Sequence, residues 1–289
     1  MSVNVGGPDF AIADAVAQIA RDAGKLLMEY FARGVTTEYK GTGDVDLVTA
    51  ADRASEELIV GRLRKQWPDH DIVGEEGSRR ETESEYRWYV DPLDGTTNFA
   101  HGYPVFCVSM GLERRRSDGV HEIVAGVLFD PTRNEMFQCE RGRGAYLNGK
   151  RIHVSKTSRL AESLLGTGFP SKKRHKNPNI HFYQELTLRS HGVRRAGSAA
   201  LDLANVACGR YDGFWEFNLN PWDTSAGVLL VEEAGGAVTR FDGSHFRIES
   251  DEVLATNGLL QPVMEQFFAD LFAGRGISAI PSPADYQRG

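Results

Sequence analysis

Three times in this chain an apolar segment runs out into acid, and any fold must find room for all three. DIVGEEG places Glu75 and Glu76 beyond a short apolar run, WYVDPLDG places Asp91 and Asp94, and NPWDTSAG places Asp223 at a helix start. Taken singly, each is better explained as a cap or a solvated strand end, since Asp-Gly is turn chemistry and Thr a helix cap. Together they demand more. Carboxylates gathered at strand ends and helix N-termini repel one another unless cations lie between them. Hard divalent ions with oxygen shells, Mg²⁺ above all, suit such a set.

The stretch YVDPLDGTTNFAHG, residues 89–102, adds detail. Pro92 stiffens the turn so that Asp91 and Asp94 can aim at one centre. The Leu93 carbonyl, outside a regular ladder, becomes a further oxygen ligand. Gly95, Thr96 and Thr97 follow at a helix start, where unpaired N–H groups and the helix dipole favour an anion. Cation-binding carboxylates beside an anion cradle describe a phosphate-processing site.

The totals narrow the field. A chain of 289 residues with 41% hydrophobic and 25% charged residues can bury a sizeable core. Its 33 Lys and Arg against 40 Asp and Glu, a net charge of −7, argue against a general nucleic-acid binder. No apolar run approaches the roughly 20 residues of a spanning helix, and MSVNVGGPDF lacks the basic and apolar regions of a secretion signal. Cys107, Cys139 and Cys208 have no CxxC spacing and read as reduced thiols of a cytoplasmic protein. The eight histidines form no HxxxH pair, so a metal must take oxygen ligands.

Periodicity predicts a helix over Phe10 to Phe31 and another from about Ala50 to Trp67, stopping before Pro68. Between them YKGTGDVDLVT reads as a loop and a short extended piece. From Tyr86 to Val154 short β-rich runs alternate with SDG, DPTRN and LNGK turns, the pattern of an antiparallel meander. Beyond Ser155 the predicted order is a strand near Leu164, helices at Ile180 to Ser190 and Ala199 to Cys208, and the extended YDGFWEF. A helix at Thr224 to Ala234, strands AVTRF and EVLAT, and a helix at Leu259 to Phe272 complete it. We expect one unit over residues 1–275, with lobes of about 1–154 and 155–275, and a loosely held tail at 276–289.

WYVDPLDGTTNFAH together with WDTSAGVLLVEEAGG resembles the paired signatures of the inositol monophosphatase family of Mg²⁺-dependent, lithium-sensitive phosphatases. VDLVTAADRASE and IVGEEG match its upstream elements in order, and the resemblance spans residues 10–272. Ser225 departs from the family's more usual Ala or Cys, at a packing position. The Lys40-to-Asp46 spacing also departs slightly, which weakens any role carried onto Lys40. The resemblance implies an α+β fold, a layered αβαβα sandwich with a mainly antiparallel N-terminal sheet and a smaller C-terminal α/β lobe. It also implies a cytoplasmic homodimer acting on a small phosphorylated polyol.

By the same resemblance one ion would be held by Glu75, Asp91 and the Leu93 carbonyl, a second by Asp91, Asp94 and Asp223, and a weaker third near Glu75. Thr96 and Asp52 would orient a metal-activated water and accept its proton for direct in-line attack on phosphorus, with Glu75 also in the catalytic set. Glu76 reads as readily as a solvated neighbour. Gly95, Thr96 and Thr97 would hold the phosphate. Glu216, Gly197, Ser198, Ala199 and Asp94 would meet the alcohol, although Gly197 and Ser198 also read as a helix cap. Arg114 to Arg116 read as a solvated hairpin. The Lys172–Lys176 stretch reads chiefly as solvated surface, yet it alone offers the cation that a second phosphate would need.

The leading expectation is hydrolysis of inositol monophosphate to inositol and phosphate. Fructose-1,6-bisphosphatase, histidinol-phosphatase and nucleotide 3′-phosphatase activities are the alternatives, because the metal core reads the ester and not the alcohol. A regulatory or scaffold protein retaining the fold is the alternative of a different class. Its sign would be a lost metal carboxylate, Asp52 or Thr96, and all of these are present.

Overall fold

A computed structural model describes residues 11–34, 37–39, 47–169 and 177–278. Lys40, Asp46, the Lys172–Lys176 stretch and the tail from residue 279 lie outside the described residues. The chain opens with α1 (Ala13–Arg33), β1 (Thr37–Tyr39), β2 (Leu47–Thr49) and α2 (Ala50–Gln66). There follow β3 (Asp71–Gly74), β4 (Arg79–Arg80), β5 (Tyr86–Asp94), α3 (Thr96–Ala100) and the meander β6 (Cys107–Arg115), β7 (His121–Asp130), β8 (Glu135–Glu140), β9 (Ala145–Leu147) and β10 (Lys150–Arg151). The remainder is β11 (Leu164–Thr167), α4 (Asn179–Arg189), β12 (Gly192–Arg194), α5 (Ala199–Ala207), β13 (Gly213–Phe217), α6 (Pro221–Glu233), β14 (Ala237–Thr239), β15 (Glu252–Thr256) and α7 (Gln261–Phe272).

These elements stack as αβαβα. An eight-stranded sheet, ordered β10-β9-β8-β7-β6-β5-β3-β4, is antiparallel except where β3 runs parallel to β5. One face buries Trp88, Val90, Met110 and Val127 against Ile19 and Ala23 of α1 and Ile59 and Leu63 of α2. Its other face carries α5 and α6, whose far side covers a five-stranded sheet ordered β12-β11-β13-β15-β14. The outermost layer is α4 and α7, where Phe182, Met264 and Phe268 pack on Leu165, Trp215 and Leu254. Each strand thus shows one side chain to each neighbouring layer in turn, the period-2 pattern that lets a sheet be buried on both faces. Among the described residues no helix is long and apolar enough to cross a membrane.

The expected sandwich is present, and most expected elements fall within a few residues of their places. Helix α6 begins at Pro221, three residues before the expected Thr224. The reason is local: Asn220 N donates to Asp223 Oδ2 at 2.7 Å while Asp223 N donates to Asn220 O, and Pro221 takes the first helical position. Strands β1, β4 and β12, of two or three residues each, have no counterpart in the expected order. Cys107, Cys139 and Cys208 are free thiols, as expected, the first two buried.

Candidate active site

Strand pairing alone sets the first two acids side by side. Because β3 and β5 are parallel, both run out at the same end. Gly74 pairs with Val90, and Glu75 N then donates to Val90 O, which puts Glu75 next to Asp91. In β5 Asp91 pairs with Ser109 but Asp94 pairs with Cys107, so three steps on one strand match two on its partner. This bulge at Pro92 and Leu93 cancels the alternation that would send Asp91 and Asp94 to opposite faces. Proline suits the place, having no N–H to lose from a ladder.

The third acid arrives on a helix. Ser109, opposite Asp91, donates through Oγ to Trp222 O at 3.2 Å, holding the first turn of α6 over the strand. Gly111 and Gly126 leave room for this approach: a Cβ on Gly111 would overlap Ser225 Oγ, and one on Gly126 would lie 3.0 Å from Ala226 Cα. Ser225 is therefore a buried packing residue. Asp223 is delivered at the third helical position beside the β5 acids.

The electrostatics show that the acids share one neighbourhood. Burial first, then Glu75, Asp94 and Asp223, hold the Asp91 carboxyl well above the usual carboxylate range. Asp223 is raised to about 8 by burial, then by Asp94 and Glu75, against the bonds from Asn220. Asp94 is raised by burial to about 6, pulled back by hydrogen bonds from Ser198, Ala200 and Ala199. Asp94 and Asp223 keep some accessible surface while Asp91 is 1% exposed, so desolvation is most severe at Asp91.

Around them stand the other expected residues. Thr96 Oγ1 lies 3.2 Å from both Asp52 Oδ1 and Leu93 O, and its single proton serves one acceptor at a time. Gly95, at φ 102°, turns the chain into α3 against Val105 O, which a Cβ would approach to 2.8 Å. Thr96 and Thr97 open that helix, where N–H groups lack helical acceptors. Ser198 Oγ donates to Asp94 Oδ2 at 2.6 Å, joined by Ala200 N at 2.8 Å. The loop thus both caps α5 and orients Asp94. Glu216, on β13, packs where Gly168 leaves space, and burial, then Asp223 and Asp94, raise its carboxyl well above the ordinary range.

Four contributors had been missed. Asn98 Nδ2 donates to Val105 O and Ala196 O, both at 2.8 Å, tying α3 to the Gly197 loop. Glu56 binds the turn that follows Glu75. Asp202 is buried with Oδ1 lacking a partner among the described residues, and is raised well above its usual range by burial, then Glu216 and Asp94. Arg195, over the ring of Phe169, lowers the carboxyls of both Glu216 and Asp202. It corrects the expectation that only the Lys172–Lys176 region offers a cation on the alcohol side. Arg114 and Arg116 pair with Glu85 and Asp118 on the exposed hairpin, but Arg115, expected to be solvated with them, is instead turned inward onto the buried carboxylate of Asp71 and Ser84 O.

The profile of the family described as the inositol monophosphatase family matches residues 11–273. The chain belongs to the inositol monophosphatase family. A Pseudomonas aeruginosa protein named Nus factor SuhB is 45% identical over 244 residues, covering 82% of this chain and 88% of that one. The inositol-1-monophosphatase of Mesorhizobium japonicum is 42% identical over 253 residues, covering 87% and 93%. Among solved structures, the inositol monophosphatase of Anabaena (Nostoc) sp. superimposes with a TM-score of 0.79 at 40% identity, covering 96% and 98%.

Metal dependence comes with that family, and the donor set suits it: carboxylates and a carbonyl, all hard oxygens. Among the described residues no group of three or more His, Cys, Asp or Glu is placed to hold a metal ion as the side chains stand. Their oxygens are turned into hydrogen bonds instead: Asp91 Oδ1 with Leu93 N, Asp94 Oδ2 with Ser198 and Ala200, Asp223 Oδ2 with Asn220. The acids are gathered, and each of these three keeps its second oxygen outside these bonds, open to a cation.

Proposed function

We propose that the chain hydrolyses phosphate monoesters of small polyols, inositol monophosphate foremost, by direct attack of water on phosphorus. The observation that carries this reading is the mutual repulsion of Glu75, Asp91, Asp94 and Asp223 beside the start of α3. Two to three Mg²⁺ ions would neutralise them: one held by Glu75, Asp91 and the Leu93 carbonyl, one by Asp91, Asp94 and Asp223, and a third near Glu75. When bound, such ions supply Lewis acidity toward the phosphoryl oxygens and make a water proton easier to lose.

The chain's own residues do the rest. With the Thr96 hydroxyl donating to Asp52 Oδ1 at 3.2 Å, its oxygen can accept from the attacking water, and as Thr96 takes the water's proton it gives its own to Asp52. Gly95, Thr96 and Thr97 N–H groups bind phosphate oxygens. The water oxygen–phosphorus bond forms as the bond to the alcohol oxygen breaks, and the proton lost by water ends on the leaving alcohol. Glu216, Asp94 and the Gly197–Ser198–Ala199 turn accept and donate hydrogen bonds to the polyol hydroxyls. Lithium inhibition and a homodimer follow from the family reading, and light scattering tests the latter.

Arg195 favours a second reading within the same chemistry, a substrate bearing a second anionic group on the alcohol side. A panel of esters compared by kcat/KM, including inositol 1-phosphate and fructose 1,6-bisphosphate, with and without Arg195→Ala, separates the two. The proposal requires Mg²⁺-dependent phosphate release by the natural chain and its loss in Asp223→Asn. Equal release by both chains, or none by the natural one, would refute it. A regulatory or scaffold role is the reading of another class, and Asp223→Asn would leave it intact.

A further inference from the structure

We propose that Glu56 is a positioning residue for Glu75, and that α2 is the element that fixes three active-site segments relative to one another. The inference rests on the metal-site reading above but concerns a residue to which that reading gives no part. Asp52, Ser55 and Glu56 occur at i, i+3 and i+4, one face of a helix, and are 0%, 0% and 3% exposed. That face continues into Ile59 and Leu63, so three polar residues occupy what helical periodicity makes core positions. Burying them is costly unless each is hydrogen-bonded.

Each reaches a different segment of the site. Asp52 meets Thr96 at the start of α3. Ser55 Oγ donates to Pro92 O at 3.0 Å, inside the bulge that aligns Asp91 with Asp94. Glu56 takes the turn after β3: Oε2 accepts from Glu76 N and Oε1 from Ser78 N, both at 2.8 Å. Glu75 is thereby gripped on two sides, its own N–H on Val90 O and the next N–H on Glu56. Gly74 makes the approach possible, since a Cβ there would lie 2.7 Å from Glu56 Cδ.

A carboxylate is required because two donors converge on it. Glutamine would present an amide N–H₂ to one of them, exchanging an acceptor for a repelling donor. Glu56 does not need to touch a cation: it sets the backbone from which the Glu75 side chain reaches one. Groups one step removed from a metal hold its ligands in direction, and their loss typically weakens binding about 10- to 100-fold.

Calorimetric titration of the full chain with Mg²⁺ tests this, alongside thermal unfolding in a chelator. Glu56→Gln should fold, bind Mg²⁺ about 10- to 100-fold more weakly, and recover most of its kcat when Mg²⁺ is raised to match. Gly74→Ala keeps the carboxylate but displaces it and should show the same loss, so it carries the test should Glu56→Gln fail to fold. Ser78→Ala, which retains the backbone N–H, should bind as the natural chain does. Mg²⁺ affinity unchanged in both Glu56→Gln and Gly74→Ala, with only a lower melting temperature, would make Glu56 a structural residue and overturn the inference. No Mg²⁺ binding by the natural chain would overturn the metal-site reading itself.

Discussion

Removing the Ser198 hydroxyl should separate the stability of α5 from the charge state of Asp94. In Ser198→Ala the helix loses its cap, worth about 1 kcal/mol, and Asp94 loses a charge-assisted bond worth about 1.5–3 kcal/mol. Together these lower the melting temperature by roughly 5–12 °C for a chain of this size. The second loss also acts on titration. Asp94 stands at about 6 because hydrogen bonds from Ser198, Ala200 and Ala199 offset part of its burial. At about 1.4 kcal/mol per pH unit, deleting the Ser198 bond raises it by a further 1–2 units or so. The ionised form binds a cation, and protons compete. Near pH 7 the natural chain has Asp94 mostly ionised, whereas Ser198→Ala has it about half protonated or more. Mg²⁺ affinity should therefore fall several-fold near pH 7 and converge on the natural value near pH 9, with Ser198→Thr unaffected. Calorimetric titration at several pH values reads this directly. A ratio of affinities that is constant with pH would reduce Ser198 to a helix cap and refute the reasoning.

Asp202→Asn should change how stability depends on pH. The folded pKa is raised well above 3.8, so the contribution of Asp202 is intact below that value and is lost as pH rises toward the folded pKa. Asn has no such titration, so the melting temperature of the variant should gain on the natural chain as pH rises above about 4; a constant offset would contradict this. Gly95→Ala should cost about 100-fold in kcat, because a Cβ 2.8 Å from Val105 O shifts the start of α3. Gly102→Ala, also at positive φ but with nothing within 4 Å of its Cβ, should lose stability with little loss of turnover. Equal kinetic effects at the two glycines would show that close approach is irrelevant.

The acids that end β3, interrupt β5 and open α6 were legible because each is punctuation: a strand end, an Asp-Pro-Leu-Asp bulge, and an Asn-Pro-Trp-Asp helix start. Their meeting was legible only as electrostatic necessity. The geometry that delivers them lies in pairings far apart in sequence, Gly74 with Val90, Ser109 with both Asp91 and Trp222. Asn98, Arg195 and Asp202 were illegible for the same reason, since each acts on other elements, Asn98 on the loop at Ala196 and Arg195 and Asp202 on Glu216 of β13, and no local periodicity encodes such reach. Glu56 carried a signal that went unread, a carboxylate four residues after Asp52 on a helix face that continues into Ile59 and Leu63. Strands as short as β4 and β12 have too few residues to show alternation.

If the chain hydrolyses phosphate esters as proposed, the four separated carboxylates must serve a common set of cations. Anomalous diffraction from crystals grown with Mn²⁺, a redox-stable stand-in for Mg²⁺, tests it most directly. The predicted result is density within about 2.0–2.5 Å of oxygens from Asp91, Asp94, Glu75 and Asp223, with Ser198 still donating to Asp94. Density elsewhere on the chain, or none, would contradict it.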